Sequence, residues 1–271
     1  MEWKTIKPMK AGMVVCLILF AFKMHPTYKL IVAANRDESY SRPTAAADFW
    51  KDAPHLLAGR DLEKMGTWMG ITTSGRFSAL TNYRDPMEST KEKLSRGNLV
   101  ADFLNGNEPP EKYMKRVADD GNLYPGYNLL AGTSNELYYY SNIGKQVQRL
   151  QPGIYGLSNH LLNSDWPKVK VGKAGMERIV SKDIQAFDGK EKIEKKLFKL
   201  LQTSDPAPDE QLPNTGVGLD LERMLSPMFI KSDGYGTRCS TVCLMGSNEI
   251  YYAEKTFSVS GISDRNYTIN L

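Results

Sequence analysis

The chain has 271 residues, a mass of 30.5 kDa, 41% hydrophobic and 24% charged residues, so it can bury a core and is not a disordered protein. Its formal net charge is only +4, and the lysines and arginines are spread along the chain, which disfavours a dedicated nucleic-acid-binding protein. The three cysteines are an odd number in a fairly long chain. They argue against a secreted disulfide framework and predict free thiols in a cytoplasmic protein.

The N-terminal segment superficially resembles a signal peptide, because three lysines precede an apolar run at residues 11–22. The run is too short to span a membrane and no small-residue cleavage site follows it, so we expect a buried strand and no stable membrane insertion. We assign residues 1–12 to a leader or upstream extension and residues 13–271 to a single domain. Because Met9 and Met13 are alternative starts, the first dozen residues are an added leader, an upstream start or a removable propeptide.

Hydrophobic periodicity predicts strands at both ends of the chain and helices grouped between them. In chain order the predicted elements are strands at 14–22 and 29–34, a hairpin at 67–72 and 76–82, helices after an N-cap at Ser95 and from Glu111, strands at 127–132, 137–141 and 154–158, helices at 167–180 and around 193–201, a loop at 203–218, a short helix at 219–225, and a final hairpin at 239–245 and 249–254. This order predicts an α+β domain of antiparallel sheets covered by helices.

Motifs for several common chemistries are absent from the sequence. There is no G-x-G-x-x-G or G-x-x-x-x-G-K-[ST] phosphate-binding loop and no G-x-S-x-G nucleophile elbow, so nucleotide cofactors and serine hydrolase chemistry lack support. The three histidines, His25, His55 and His160, lie far apart and belong to no metal-binding or haem motif. We therefore expect neither a metal nor a cofactor.

A run of four polar residues, Asn35-Arg36-Asp37-Glu38, directly follows the second apolar strand. Residues at a strand end are held by a rigid scaffold and still reach solvent, and an arginine beside carboxylates is a fixed cation with a partner. A polar turn with a surface ion pair would have the same composition. The spacing alone favours that simpler interpretation.

Several motifs spread over nearly the whole chain resemble the NRDE family, which includes the transport and Golgi organisation 2 proteins. They are Cys16-Leu17-Ile18-Leu19-Phe20, Ala34-Asn35-Arg36-Asp37-Glu38, Gly66-Thr67-Trp68-Met69-Gly70-Ile71, Ser95-Arg96-Gly97, Trp166-Pro167-Lys168-Val169 and Tyr235-Gly236-Thr237-Arg238. The resemblance implies a relation to N-terminal nucleophile hydrolases and roles in haem or acyl-lipid handling. Together with the order of elements it implies a four-layered αββα fold.

The arrangement also resembles the cysteine N-terminal nucleophile amidases, such as bile salt hydrolase and penicillin V acylase. That resemblance implies a catalytic set consisting of Cys16 as nucleophile, Arg36 with Asp37 or Glu38, Asn82, Asn159 and Arg238. We also expect Asn35, Glu38 and Trp68 to contact the substrate. The implied reaction is hydrolysis of a non-peptide carbon–nitrogen amide bond in a small-molecule amide or acyl ligand.

The chemistry of an N-terminal cysteine explains this choice of residues. Its α-amine, with a pKa of about 7.7 to 8.0, can take the thiol proton, so no histidine is needed. Arg36 would favour the thiolate, Asp37 would hold the α-amine, and the Asn82 amide would stabilise the oxyanion. Cys16 must then become the first residue.

If the leader is retained, the second hypothesis is a non-catalytic binding or trafficking protein for haem or acyl-CoA. Each candidate residue also has a simpler interpretation. Cys16 could be a small apolar core residue, and Asn82 and Asn159 could be turn residues. Arg238 could anchor a strand end by pairing with a carboxylate such as Glu38. We interpret Cys239 and Cys243 as core residues facing one side of a strand.

Overall fold

The computed structural model describes residues 15–186, 189–258 and 261–271, with side chains omitted at 183–186. The described strands are β1 (Val15–Phe22), β2 (Leu30–Ser39), β3 (Thr44–Trp50), β4 (Ala53–Asp61), β5 (Met69–Thr72), β6 (Arg76–Asn82), β7 (Tyr127–Thr133), β8 (Leu137–Ser141), β9 (Gln148–Arg149), β10 (Gly153–Leu157), β11 (Lys231–Ser232), β12 (Tyr235–Met245), β13 (Glu249–Ser258) and β14 (Gly261–Asn270). The helices are α1 (Gly97–Asn105), α2 (Pro110–Asp119), α3 (Pro167–Ala186), α4 (Lys190–Leu201) and α5 (Leu219–Leu225).

These strands form two antiparallel sheets. The first has the order β10-β1-β2-β12-β13-β14, with the short β11 paired to β12, and the second has the order β3-β4-β5-β6-β7-β8-β9. The first sheet brings the N-terminal hairpin β1–β2 next to the C-terminal strand β12. Segments about 200 residues apart in sequence therefore lie side by side at its centre.

Three apolar clusters define the layers. Alternate residues of both sheets, including Ile18, Val32, Phe77 and Cys243, pack between the sheets. The opposite face of the first sheet packs against α3 and α4, and that of the second sheet packs against α1 and α2. The four-layered αββα architecture predicted from the sequence is confirmed.

The structure also corrects several predicted elements. The sequence does not predict the strands β3, β4 and β14, which lack a clear alternation of apolar and polar residues, or the two-residue strands β9 and β11. Helix α1 begins at Gly97 with Arg96 at its N-cap, and no side chain caps it, so the predicted capping role of Ser95 is wrong. The predicted leader, residues 1–12, lies outside the described residues.

Candidate active site

Strand alternation directs the side chain of Cys16 into the space between the sheets. Ile18, Phe20 and Phe22, on the same side of β1, belong to the apolar core between the sheets, whereas Leu17 and Leu19 pack against the helices. Cys16 is therefore the first described residue that faces the second sheet. It is only 2% exposed, and all three cysteines are free thiols.

Cys16 begins a row of residues that crosses four neighbouring strands. It pairs with Arg36 on β2, Arg36 pairs with Cys239 on β12, and Cys239 pairs with Thr256 on β13. Since neighbouring strands lie about 4.8 Å apart, this row is about 14 Å long. All four residues line the same cavity.

The cavity has a volume of about 420 Å³ and lies between the two sheets, at the end of the sandwich beyond the apolar core. Six of the predicted site residues line it: Cys16, Arg36, Glu38, Trp68, Asn82 and Arg238. They come from both sheets, so the cavity depends on how the sheets pack. The structure brings these six residues together.

Asn159 connects Cys16 to Asn82 just beside the cavity. Its Oδ1 accepts the backbone N–H of Cys16 at 3.3 Å, and its Nδ2 donates to the backbone oxygen of Asn82 at 2.9 Å. Ser158 donates from Oγ to the carbonyl oxygen of Cys16 at 2.8 Å. The backbone on both sides of the Cys16 side chain is thus held in place by neighbouring polar groups.

Two of the predicted site residues lie on the opposite face of the sheet. Because β2 continues to Ser39, Arg36 and Glu38 face the cavity while Asn35 and Asp37 face the helices, and neither of the latter pair lines the cavity. Asn35 therefore does not occupy the predicted ligand-contacting position. Its Nδ2 donates to the carbonyl oxygens of Leu201 and Met228, at 2.9 and 2.7 Å.

Replacing Asn35 by alanine is expected to lower the free energy of unfolding by about 3 kcal/mol or more, because it leaves three buried polar groups unpaired and each costs about 1–3 kcal/mol. Besides the two carbonyl oxygens, the change leaves the Ser240 hydroxyl without its acceptor at 2.6 Å. Denaturant titration measures the effect. If Asn35→Ala had unchanged stability but weaker ligand binding, this structural role would be contradicted. The contact with substrate predicted from the sequence would then be supported.

The cavity wall carries an excess of positive charge. Seven basic and three acidic side chains line it. Arg36 pairs with Glu38 at 3.4 Å, but Arg238 donates to the carbonyl oxygens of Ser39 and Arg42, at 2.8 and 3.1 Å, so it does not form the pair with Glu38 considered from sequence. A backbone carbonyl carries no net charge. The charge of Arg238 therefore remains available to attract an anion.

The Cys16 thiol is neutral in this structure. Burial, and then the Asp37 carboxylate, raises its pKa to about 12, while the Arg36 guanidinium and the backbone N–H of Asp37 act in the opposite direction. At neutral pH the thiol is therefore almost entirely protonated. With the Cys16 nitrogen in a peptide bond, that nitrogen cannot act as the base.

Arg96, Cys239 and Glu254 also line the cavity, and they are among the lining residues that the sequence did not single out as site residues. Arg96 belongs to a motif noted for family resemblance, and its Nη1 donates to the Gly126 carbonyl oxygen at 2.8 Å. Cys239 faces the same side as Cys243, as predicted, but lies beyond the apolar core. The sequence did not indicate a functional role for Glu254, because the pattern of its strand is that of an ordinary apolar strand.

Within the described ranges, no three or more His, Cys, Asp or Glu side chains form a group that could hold a metal ion. None of the described helices is both long enough and apolar enough to cross a bilayer.

Comparison with known proteins decides the family. Residues 15–259 match the family model described as transport and Golgi organisation 2. The chain belongs to the transport and Golgi organisation 2 family. A homologue of transport and Golgi organization protein 2 from Homo sapiens is 36% identical over 265 residues, covering 92% of this chain and 95% of the relative. The Drosophila melanogaster member of the family is 31% identical over 268 residues, covering 90% and 92%.

This member of the transport and Golgi organisation 2 family also has a fold similar to that of a solved structure. A mutant of the conjugated bile acid hydrolase from Clostridium perfringens superposes with a TM-score of 0.50 at 9% identity, covering 94% of this chain and 96% of the hydrolase. At that identity the likeness shows a common fold. The fold shared with this hydrolase agrees with the fold that the resemblance in the sequence implied.

Proposed function

We propose that the protein is a cysteine amidohydrolase that cleaves a non-peptide carbon–nitrogen amide bond, with Cys16 as nucleophile once the residues before it are removed. The observation that carries this proposal is the position of Cys16. Its thiol faces a 420 Å³ cavity, Arg36 lies beside it in register, and Asn159 holds its nitrogen. Removal of the preceding residues would turn that nitrogen into a free amine at the place where a base is needed.

The proposed reaction uses only groups at this site. The α-amine of Cys16 takes the thiol proton, the sulfur attacks the amide carbon, and the carbonyl oxygen becomes an oxyanion. The Asn82 side chain, which lines the cavity at the end of β6, donates to that oxyanion in this proposal. The carbon–nitrogen bond then breaks, the amine leaves with the proton, and water hydrolyses the thioester to a carboxylic acid and the free thiol.

The charge of the cavity supports an anionic ligand. Arg96 and Arg238 hydrogen-bond to backbone carbonyls and therefore keep their charge. We infer that the substrate is an acyl amide that carries a carboxylate or a similar anionic group. We also propose a cytoplasmic location, which the three free thiols support.

An N-acyl amide with a terminal carboxylate is expected to have a KM at least about tenfold lower than the otherwise identical carboxamide, which corresponds to about 1.4 kcal/mol of binding energy. The difference should shrink as ionic strength rises, since salt screens exposed charges. Steady-state kinetics on the matched pair at low and high salt measures both effects. Equal KM values for the two compounds would contradict an anionic substrate.

A mass-spectrometric assay tests the proposed hydrolysis. The matured protein is mixed with a panel of N-acyl amides, quenched within the first turnover, and searched for an acyl adduct on the peptide that begins with Cys16. We expect a thioester on Cys16, release of the amine, and neither product with Cys16→Ser. Turnover without dependence on Cys16 would refute the proposal.

The second candidate, a binding protein that keeps its leader, is favoured by a specific observation. Val15 is fully buried against Leu225, Ile230 and Tyr235, and its backbone N–H donates to the Tyr235 hydroxyl oxygen at 2.8 Å. The chain just before Cys16 is therefore part of the folded structure. This candidate predicts saturable binding of an acyl lipid or haem without product, and unchanged binding by Cys16→Ser.

A further inference from the structure

The motif Trp166-Pro167-Lys168-Val169 opens helix α3, and its lysine is buried. Pro167 starts the helix, and Trp166 and Val169 pack in the apolar layer between α3 and the first sheet. Lys168 is only 4% exposed in the same layer. Burial of a lysine is costly unless its ammonium group meets polar or charged partners, so this position calls for an explanation.

The partners of Lys168 lie behind Cys16, on the helix-facing side of the sheet. Its Nζ donates to the Leu225 carbonyl oxygen at 3.0 Å, and it interacts electrostatically with Asp37. Asp37 is fully buried, and its Oδ1 accepts the Thr237 hydroxyl at 2.6 Å. Its Oδ2 accepts no hydrogen bond from any residue in the described ranges. One carboxylate oxygen thus remains available next to the strand that carries Cys16.

The charges of Asp37 and Lys168 depend on each other. Burial raises the pKa of Asp37 against the opposing effects of Lys168, Thr237 and Arg36, and burial lowers the pKa of Lys168 against the effect of Asp37. Burial thus favours the neutral form of each group, and the attraction between the two charges favours the ion pair. Loss of the lysine cation would raise the pKa of Asp37 further.

The other charged groups around the pair come from several elements. Arg84 lowers the pKa of Lys168, whereas Cys16 and Glu222 raise it. Arg84 is itself neutralised by Glu222 at 2.8 Å and lies over the Trp166 ring. Burial raises the pKa of Tyr40 and of Tyr235, and the Asp37 carboxylate adds to this effect at both hydroxyls.

We propose that Lys168 is a positioning residue for Cys16: it keeps Asp37 ionised, so that the carboxylate can hold the ammonium that forms when the Cys16 amine takes the thiol proton. Asp37 is the cross-strand partner of Val15 in the β1–β2 pair. Its backbone therefore lies beside the Val15–Cys16 peptide bond, whose cleavage would free that amine. The proposal rests on the hydrolase function proposed above. Lys168 acts through Asp37 and touches neither substrate nor cavity.

The test combines titration of Asp37 with the pH profile of hydrolysis. The carboxyl carbon of Asp37, assigned with Asp37→Asn, is followed by NMR in ¹³C-aspartate-labelled protein for the wild type, Lys168→Met and Lys168→Arg. Lys170→Met is the matched control, because Lys170 is exposed on the same helix and pairs only weakly with Asp165 at 3.4 Å. kcat/KM is measured for the same proteins from pH 5 to 9.

In Lys168→Met the midpoint of the Asp37 titration is expected to rise by about one pH unit or more. The acid limb of kcat/KM should move up with it, which means about a tenfold loss near pH 7. Lys168→Arg and Lys170→Met should keep the wild-type midpoint and profile. An Asp37 titration that Lys168→Met leaves unchanged would overturn the proposal, as would an acid limb that does not follow it.

Failure of the proposed hydrolase function can be distinguished from failure of the role proposed for Lys168. If no substrate is turned over, the NMR titration still decides whether Lys168 sets the charge of Asp37. If Lys168→Met does not fold, titration of ¹³Cε-lysine in the wild type decides the same point. A ¹³Cε signal of Lys168 that moves with the ionisation of Asp37 while the lysine is still protonated supports the proposal, and a signal that does not respond to Asp37, or a Lys168 that is already neutral where Asp37 titrates, overturns it.

Discussion

Cys16→Ala in the matured protein is expected to lower kcat by about 10⁴-fold or more, because removal of a covalent nucleophile leaves only the binding and oxyanion contributions to catalysis. The thiol is small and 2% exposed, so its loss should change folding stability little compared with activity. Single-turnover kinetics with the best substrate of the panel measures the loss.

The matched control is Cys243→Ala, which removes a fully buried thiol from the apolar core, away from the cavity lining. We expect this variant to be somewhat less stable and to retain its activity. Comparable losses of activity in both variants would show that thiol removal acts through the fold. Retained activity in Cys16→Ala would exclude Cys16 as the nucleophile.

Asn82→Ala is expected to lower kcat by about 10²- to 10³-fold with a small effect on KM, which is the usual cost of one lost oxyanion donor. The substitution removes only the side-chain amide. The backbone oxygen of Asn82, which accepts from Asn159 at 2.9 Å, stays in place, so the contact that orders the Cys16 backbone is preserved.

Whether Asn82→Ala changes KM or kcat decides the role of Asn82. A raised KM with unchanged kcat would show that its amide binds the substrate equally in ground and transition states. The free energy of unfolding, measured in parallel, should fall by less than that of Asn35→Ala, since Asn82 borders the cavity and Asn35 is tied to two buried carbonyls.

Much of the fold could be predicted from sequence because the central strands have strong apolar runs. β1 and β2 are buried along nearly their whole length, and such runs give clear signals. β14 is largely exposed at a sheet edge, so few apolar residues mark it. β3 and β4 pair with irregular register, and their polar ends look like loop.

The candidate site could be predicted only in part, because the apolar run predicts that the second strand ends at Ala34. The strand continues to Ser39, and this extension alone separates Arg36 and Glu38 from Asn35 and Asp37 onto opposite faces. Lys168 could not be found by periodicity, since a lysine on the buried face of a helix contradicts the usual pattern. Its partner Asp37 lies 131 residues earlier in the sequence.

The measurement that tests the central claim most directly is intact mass with N-terminal sequencing of the protein expressed from its natural start and allowed to mature. We expect a chain that begins at Cys16, with the free α-amine that the proposed reaction requires. Protein in which every chain keeps the residues before Cys16 would contradict the amine-based mechanism. The cavity would then be a ligand-binding site.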